Sequence, residues 1–147
     1  MVAIASTHFK SMDYEATGRE FRDGDADFAG EGDAAGEPVI DLVHLARQTL
    51  SDQTLEVELL DLFERQSARI VAQLREMRAG DAKICGDLAH TLRGSALAIG
   101  AGRVARSAHI YEAACAAGLG AGALSARLDA LAAAVAEARA TIASLLA

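Results

Sequence analysis

The sequence has few of the residues that build β-sheets or disulfide frameworks. Its 147 residues include one proline, no tryptophan, two cysteines and only six aromatic residues. Alanine and leucine, which favour helices, dominate the second half of the chain, whereas β-branched residues are sparse. A single pair of cysteines in such a chain is more simply explained as two small apolar side chains than as a disulfide. We therefore predict an all-α fold in which Cys85 and Cys115 keep free thiols.

Long apolar runs and clusters of basic residues are also missing. No apolar run approaches the roughly 18 residues of a membrane span, and the N-terminus lacks the basic start, apolar stretch and cleavage site of a secretory signal. No run of lysine and arginine marks a nucleic-acid footprint. The sequence therefore argues against binding to membranes or nucleic acid, and it predicts a cytoplasmic protein.

The net charge of −7 is concentrated at the N-terminus. Residues 1–37 hold nine of the 21 acidic and three of the 14 basic residues, so residues 38–147 carry a net charge of only −1. Residues 22–38 combine glycine with aspartate and glutamate and show no sustained periodicity, which is typical of a solvated linker. We predict an acidic, glycine-rich, flexible segment over residues 1–37 and one globular domain over residues 38–147.

The N-terminal segment also contains four of the six aromatic residues: Phe9, Tyr14, Phe21 and Phe28. Two interpretations stay open, a tail without fixed structure and an arm that docks on another surface. A short helix over residues 12–21 is compatible with both.

From residue 39 onward the apolar residues recur with helical spacing. A short helix over residues 41–49 is predicted first, and Ser51 is the predicted N-cap of the long helix that follows. The long helices are predicted over residues 52–78, 81–99 and 103–117, and from the glycines at 118–122 to the end of the chain. Short loops make neighbouring helices antiparallel, so we predict an up-and-down four-helix bundle with a short N-terminal capping helix.

The helix over residues 81–99 presents two different faces when each residue is turned by about 100°. The predicted core stripe consists of Ile84, Leu88, Leu92, Ser95 and Ile99. His90 points the opposite way, toward solvent. Six further residues lie within about 60° of it: Lys83, Gly86, Asp87, Arg93, Gly94 and Leu97.

The surroundings of His90 favour chemistry on a phosphoryl group. A neutral imidazole offers one ring nitrogen as a nucleophile. Gly94, one turn later, is unfavourable in a helix by about 0.5–1 kcal/mol relative to alanine, but it leaves an open approach to the ring. Arg93 carries planar donors that match phosphate oxygens. Histidine, clearance and a cation together indicate a phosphoryl acceptor.

The segment AHTLRGSALAIGA, residues 89–101, resembles the motif of the histidine-containing phosphotransfer domains of multistep two-component phosphorelays. The family pattern is approximately A-H-x-L-[KR]-G-[SA], followed by [LI]-G-A, and this chain has AHTLRGS followed by IGA. The apolar residue and glutamate expected in the next helix occur as Tyr111 and Glu112. The resemblance covers about residues 39–146. Arg93 stands where the family usually has lysine, which keeps the charge.

The resemblance implies a role for each residue of the motif. His90 would be phosphorylated, Gly94 would provide clearance and Arg93 would stabilise the phosphoryl group. Glu112 would lie close to His90, where it would orient the imidazole or pair with Arg93. We expect a partner to dock around His90, on a surface formed by Lys83, Gly86, Asp87 and Leu97.

The resemblance also implies the class of partner and the type of chemistry. A monomeric phosphotransfer protein would accept a phosphoryl group from the aspartyl phosphate of one response-regulator receiver domain and pass it to another. A hybrid sensor kinase is a further candidate partner. No cofactor is expected on this chain, because the receiver domain would contribute the aspartate and a divalent ion. The chain has no G-x-x-x-x-G-K-[ST] loop, so an autonomous kinase is not predicted.

Two other functions were weighed against phosphotransfer. The pairs Asp87 with His90 and His109 with Glu112 have the spacing of metal ligands in helical bundles, but such ligands must point into the bundle and His90 is predicted to point outward. A structural or adaptor bundle that binds signalling partners without phosphotransfer is the stronger alternative.

Overall fold

The computed structural model describes residues 36–77 and 81–147. Within these residues it contains five α-helices and no strand, which confirms the predicted all-α class. The helices are α1 (Leu42–Gln48), α2 (Gln53–Glu76), α3 (Ala82–Ile99), α4 (Gly102–Ala116) and α5 (Ala121–Leu146). All five belong to one compact unit, Val39–Ala147. The expectations for the N-terminal segment, including its aromatic residues and the short helix over 12–21, concern residues outside those described.

The first two helices are capped by aspartates. The Asp41 carboxylate accepts a hydrogen bond from the backbone N–H of His44 at 3.1 Å, and the Asp52 carboxylate accepts one from the N–H of Leu55 at 3.1 Å. The predicted cap at Ser51 is therefore wrong by one residue. Ser51 has a φ of 61°, whereas an N-cap needs an extended backbone so that its side chain can reach back to the first turn.

The register of α3 differs from the predicted one. Its buried residues are Cys85, Ala89, Leu92, Ala96, Ala98 and Ile99. Ile84, which was predicted to face the core, is 49% exposed, and Leu88 and Ser95 are only partly buried. The buried side of α3 is thus rotated by roughly 60° from the predicted stripe. The rotation brings α4 against a surface of small side chains, and it moves His90 from the outermost line of α3 to the flank beside α4.

Two glycines allow the tight connection from α3 to α4. Gly100 ends α3 with a φ of 81°, in the left-handed region, and Gly102 begins α4. The backbone N–H of Asp41 donates to the carbonyl of Gly100 at 2.9 Å. A Cβ on Gly100 would lie 2.8 Å from the Asp41 carbonyl oxygen. The start of α1 is therefore in direct contact with the turn that follows α3.

Replacing Gly100 with alanine should destabilise the fold by about 2–4 kcal/mol, because left-handed strain and a backbone clash act together. Gly118→Ala is the matched control. Gly118 also has a positive φ, 69°, but a Cβ there meets nothing within 4 Å, so only the strain of about 1 kcal/mol remains. Urea denaturation of both variants measures the difference. Equal losses of unfolding free energy in the two variants would show that the close approach to Asp41 does not contribute to the effect of Gly100→Ala.

Packing and ion pairs join α5 to the rest of the unit. The buried side of α5 consists of Leu128, Leu131, Val135, Ala138 and Ile142. Arg139 pairs with Glu64 of α2 at 2.6 Å, and Arg103 of α4 pairs with Glu137 at 2.8 Å. No helix among the described residues has the length and apolar character needed to cross a membrane.

Candidate functional site

His90 lies on the flank of α3 that faces α4, with 49% of its side chain exposed. Its Nδ1 atom lies 2.9 Å from Oε2 of Glu112. A carboxylate at neutral pH only accepts hydrogen bonds, so Nδ1 carries the proton in this contact. In a neutral imidazole the other nitrogen, Nε2, is then the one with a lone pair. The contact with Glu112 therefore selects which ring nitrogen is nucleophilic.

Glu112 reaches His90 because α3 and α4 are in close contact. Both helices also bury small residues completely, namely Ala89 and Ala96 on α3 and Ala108 on α4. The Glu112 side chain is 27% exposed, and its two oxygens have different partners. Oε2 contacts His90, and Oε1 lies 3.4 Å from Nη1 of Arg93. One carboxylate thus contacts both the histidine and the arginine of the motif.

Arg93 does not lie on the open surface where the sequence analysis placed it. Only 13% of its side chain is exposed, and its guanidinium extends toward Glu112 on α4. The reason is the rotation of α3, which turns position 93 from the outer face toward the neighbouring helix. The expectation that Arg93 would stand open beside His90 is therefore wrong. The charge is close to the histidine, but it is paired with Glu112.

Gly94 is exposed and leaves space one turn after His90. A Cβ built on Gly94 meets no atom within 4 Å, so the fold does not require glycine there. Gly86 is different, because a Cβ on it would lie 3.6 Å from the Cβ of Cys115 on α4. Gly86 faces the contact between the two helices rather than open solvent.

The other three residues of the predicted partner surface differ from one another in exposure. Lys83 and Asp87 form an ion pair with each other at 3.1 Å, and both side chains are largely exposed. Leu97 is partly buried, so its predicted exposure is wrong, again because of the rotation of α3. The exposed apolar residue of this helix is Ile84, which the sequence analysis had assigned to the core. The spacing of the alanines along α3 could have identified the buried side of this helix and therefore the exposure of Ile84.

Two cysteines and a tyrosine form a buried cluster next to Glu112. Cys85 and Cys115 are free and buried, and Tyr111 is also buried. Burial, together with a hydrogen bond to Cys85, raises the pKa of Tyr111 far above its usual range. Burial also raises the pKa of the Cys115 thiol. These two groups therefore stay protonated at neutral pH and add no charge beneath the Glu112 carboxylate.

Within residues 36–77 and 81–147, no three His, Cys, Asp or Glu side chains are grouped so that they could hold a metal ion. The contacts described above join an imidazole, a carboxylate and a guanidinium.

A family model described as Hpt domain matches residues 58–144, which is more than half of the chain. The match runs from the first part of α2 into α5 and includes His90, Arg93, Gly94 and Glu112. No curated protein and no solved structure matches the chain.

Proposed function

Because the chain belongs to the Hpt domain family, we propose that His90 accepts a phosphoryl group from the aspartyl phosphate of one receiver domain and passes it to another receiver domain. Hpt domains take part in phosphotransfer within two-component phosphorelays, and they interact with response-regulator receiver domains. The observation that carries the proposal is the contact between Nδ1 of His90 and Glu112 on a half-exposed ring. The opposite ring edge carries Nε2, the nitrogen that would attack phosphorus.

The tautomer with the proton on Nδ1 determines that Nε2 takes part in the transfer. The lone pair on Nε2 attacks phosphorus in line, the N–P bond forms, and the bond from phosphorus to the aspartyl oxygen of the donor breaks. The ring gains positive charge during this step, and the Glu112 carboxylate on Nδ1–H stabilises that charge. In the second half of the relay the aspartate of an acceptor receiver attacks phosphorus, and Nε2 becomes the leaving group.

The receiver domain supplies the remaining components. It would carry the aspartate and the divalent ion that neutralises the phosphoryl oxygens, so this chain needs no cofactor of its own. The chain acts as an intermediate carrier rather than as a kinase. We place it in the cytoplasm as a monomer, with a hybrid sensor kinase as a further possible source of the receiver.

Docking takes place around His90 on a surface that is open near the ring. Gly94 provides clearance, and the exposed ion pair of Lys83 with Asp87 lies along the same helix. A shallow surface of this kind suits a transient interface.

The fold that supports the site is an up-and-down antiparallel four-helix bundle over residues 38–147. Short connections between successive long helices support the antiparallel order. The paired positions of α3 and α4 support it as well, since His90 meets Glu112 while the earlier Gly86 approaches the later Cys115. The short helix α1 caps the end at which α3 turns into α4.

The test is direct transfer. The full chain is mixed with a receiver domain that carries a radiolabelled aspartyl phosphate, and the label is followed on a gel. The expected result is rapid appearance of acid-labile phosphate on this chain, followed by its loss when a second, unphosphorylated receiver is added. If the chain binds receivers tightly but takes up no label from any of them, the adaptor function replaces phosphotransfer.

A further inference from the structure

Arg93 is linked to the Nδ1 edge of the imidazole through Glu112, whereas the phosphoryl group would be attached at Nε2. Glu112 contacts the Nδ1 edge of His90 at 2.9 Å, and Arg93 contacts the other oxygen of the same carboxylate at 3.4 Å. A phosphoryl group on Nε2 would be attached at the other edge of the ring. The arginine is also largely covered, whereas a phosphoryl group must be reached by a second protein.

We propose that Arg93 is a positioning residue that acts on His90 through Glu112, and that it is not a ligand of the phosphoryl group. The proposal rests on the proposed function of His90 and refines it. It replaces the role that the sequence resemblance implied for Arg93, which was direct phosphate stabilisation.

Arg93 acts by restricting the conformations of the Glu112 carboxylate. A glutamate side chain that is 27% exposed has several rotamers open to it, and solvent competes for its oxygens. The guanidinium of Arg93 holds Oε1, and its planar donors lose little freedom when they bind. With Oε1 held, Oε2 stays aimed at Nδ1 of His90. The arginine therefore keeps the proton on Nδ1 and the lone pair on Nε2.

This arrangement separates two properties that a phosphate ligand would combine. A residue that orients the ring changes the rate at which unphosphorylated His90 attacks the aspartyl phosphate. A residue that binds the phosphoryl oxygens also changes how long the phosphohistidine survives once it has formed. Arg93 should affect the first property and not the second.

The first experiment observes the ring without any phosphoryl group. The chain is labelled with ¹⁵N, and the imidazole nitrogen shifts and couplings of His90 report its tautomer near pH 8, with His90→Gln identifying the signals. In the wild-type chain we expect the Nδ1–H form to predominate. In Arg93→Met the share of the Nε2–H form should rise by roughly two- to fivefold, the range typical of partly exposed ion pairs. Arg93→Lys, which keeps the charge, should restore part of the wild-type ratio.

The matched control is Arg103→Met. Arg103 is also partly buried and also pairs across helices, but with Glu137 at 2.8 Å, a different carboxylate from the one that contacts Nδ1 of His90. It should leave the His90 tautomer unchanged. Thermal unfolding of each variant identifies loss of structure, and Arg93→Lys provides the measurement if Arg93→Met does not fold.

The second experiment measures transfer with the same variants. Arg93→Met should slow phosphoryl uptake by roughly two- to fivefold, and the half-life of phosphorylated His90 in the isolated protein should stay as in the wild type. Combining Arg93→Met with Glu112→Gln should slow uptake no further than Glu112→Gln alone, since both act through one carboxylate.

A shorter phosphohistidine half-life in Arg93→Met, with an unchanged tautomer, would overturn the proposal and make Arg93 a phosphate ligand. An unchanged tautomer with unchanged uptake would overturn it as well. Failure of the proposed function looks different: no label would reach the wild-type chain, whereas the tautomer ratio would still respond to Arg93.

Discussion

Replacing His90 with glutamine abolishes phosphoryl uptake from a phosphorylated receiver domain and leaves the helix content unchanged; this is the largest effect we expect. Glutamine has a similar size and can still contact Glu112, but its amide nitrogen has no nucleophilic lone pair. Half of the His90 side chain is exposed, so its replacement removes little core packing. Transfer of radiolabel measures the first outcome, and far-ultraviolet circular dichroism measures the second.

His44→Gln is the control for this substitution. His44 lies on α1, and its side chain has no contact with Glu112 among the described hydrogen bonds. This variant should take up label at the wild-type rate. If the His90 variant still acquires acid-labile phosphate, another histidine is the acceptor, and the geometry around Glu112 has a different purpose.

Replacing Gly94 with leucine should reduce transfer by roughly tenfold or more, which corresponds to a loss of about 1.4 kcal/mol in partner binding or transition-state stability. The added side chain would fill the space beside the ring, where the surface of a receiver has to approach. The same change should stabilise the folded protein by about 0.5–1 kcal/mol, since leucine favours helices and no atom lies within 4 Å of the new Cβ. Stability and activity should therefore move in opposite directions.

Two variants isolate the steric effect. Gly94→Ala should raise stability and reduce transfer only slightly, because one methyl group fills little of the space. Gly122→Leu adds the same large side chain at another exposed helical glycine with open surroundings, in α5, and should not change transfer. Normal transfer in Gly94→Leu would remove the steric explanation for glycine at this position.

Much of the site could be predicted because it depends on local sequence. The exposure of His90 and the open space at Gly94 follow from their spacing along one helix. The proximity of Glu112 required a second helix in the right position, and only the family resemblance supplied that. The direction of the Arg93 side chain depends on how α3 is rotated about its axis. Neither the residue spacing nor the family resemblance predicted that rotation.

The error in the rotation of α3 has a physical cause. The predicted core stripe follows the largest apolar residues, so Ile84 and Leu88 are predicted to be buried. Where two helices pack closely, small residues are buried first, since only they allow the backbones to approach. Ala89 and Ala96 are fully buried, whereas Ile84 is half exposed. In an alanine-rich chain the periodicity of alanine therefore indicates the helix interface better than that of leucine or isoleucine.

The contact between Asp41 and Gly100 bears on where this protein can be shortened. The family match begins at residue 58, after α1 and within α2. A fragment cut at that point would lose Ile40 and Leu45, which are almost completely buried, together with the hydrogen bond from Asp41 to the end of α3. The smallest fragment that preserves the intact helix end must therefore begin upstream of Ile40, about twenty residues before the recognisable domain.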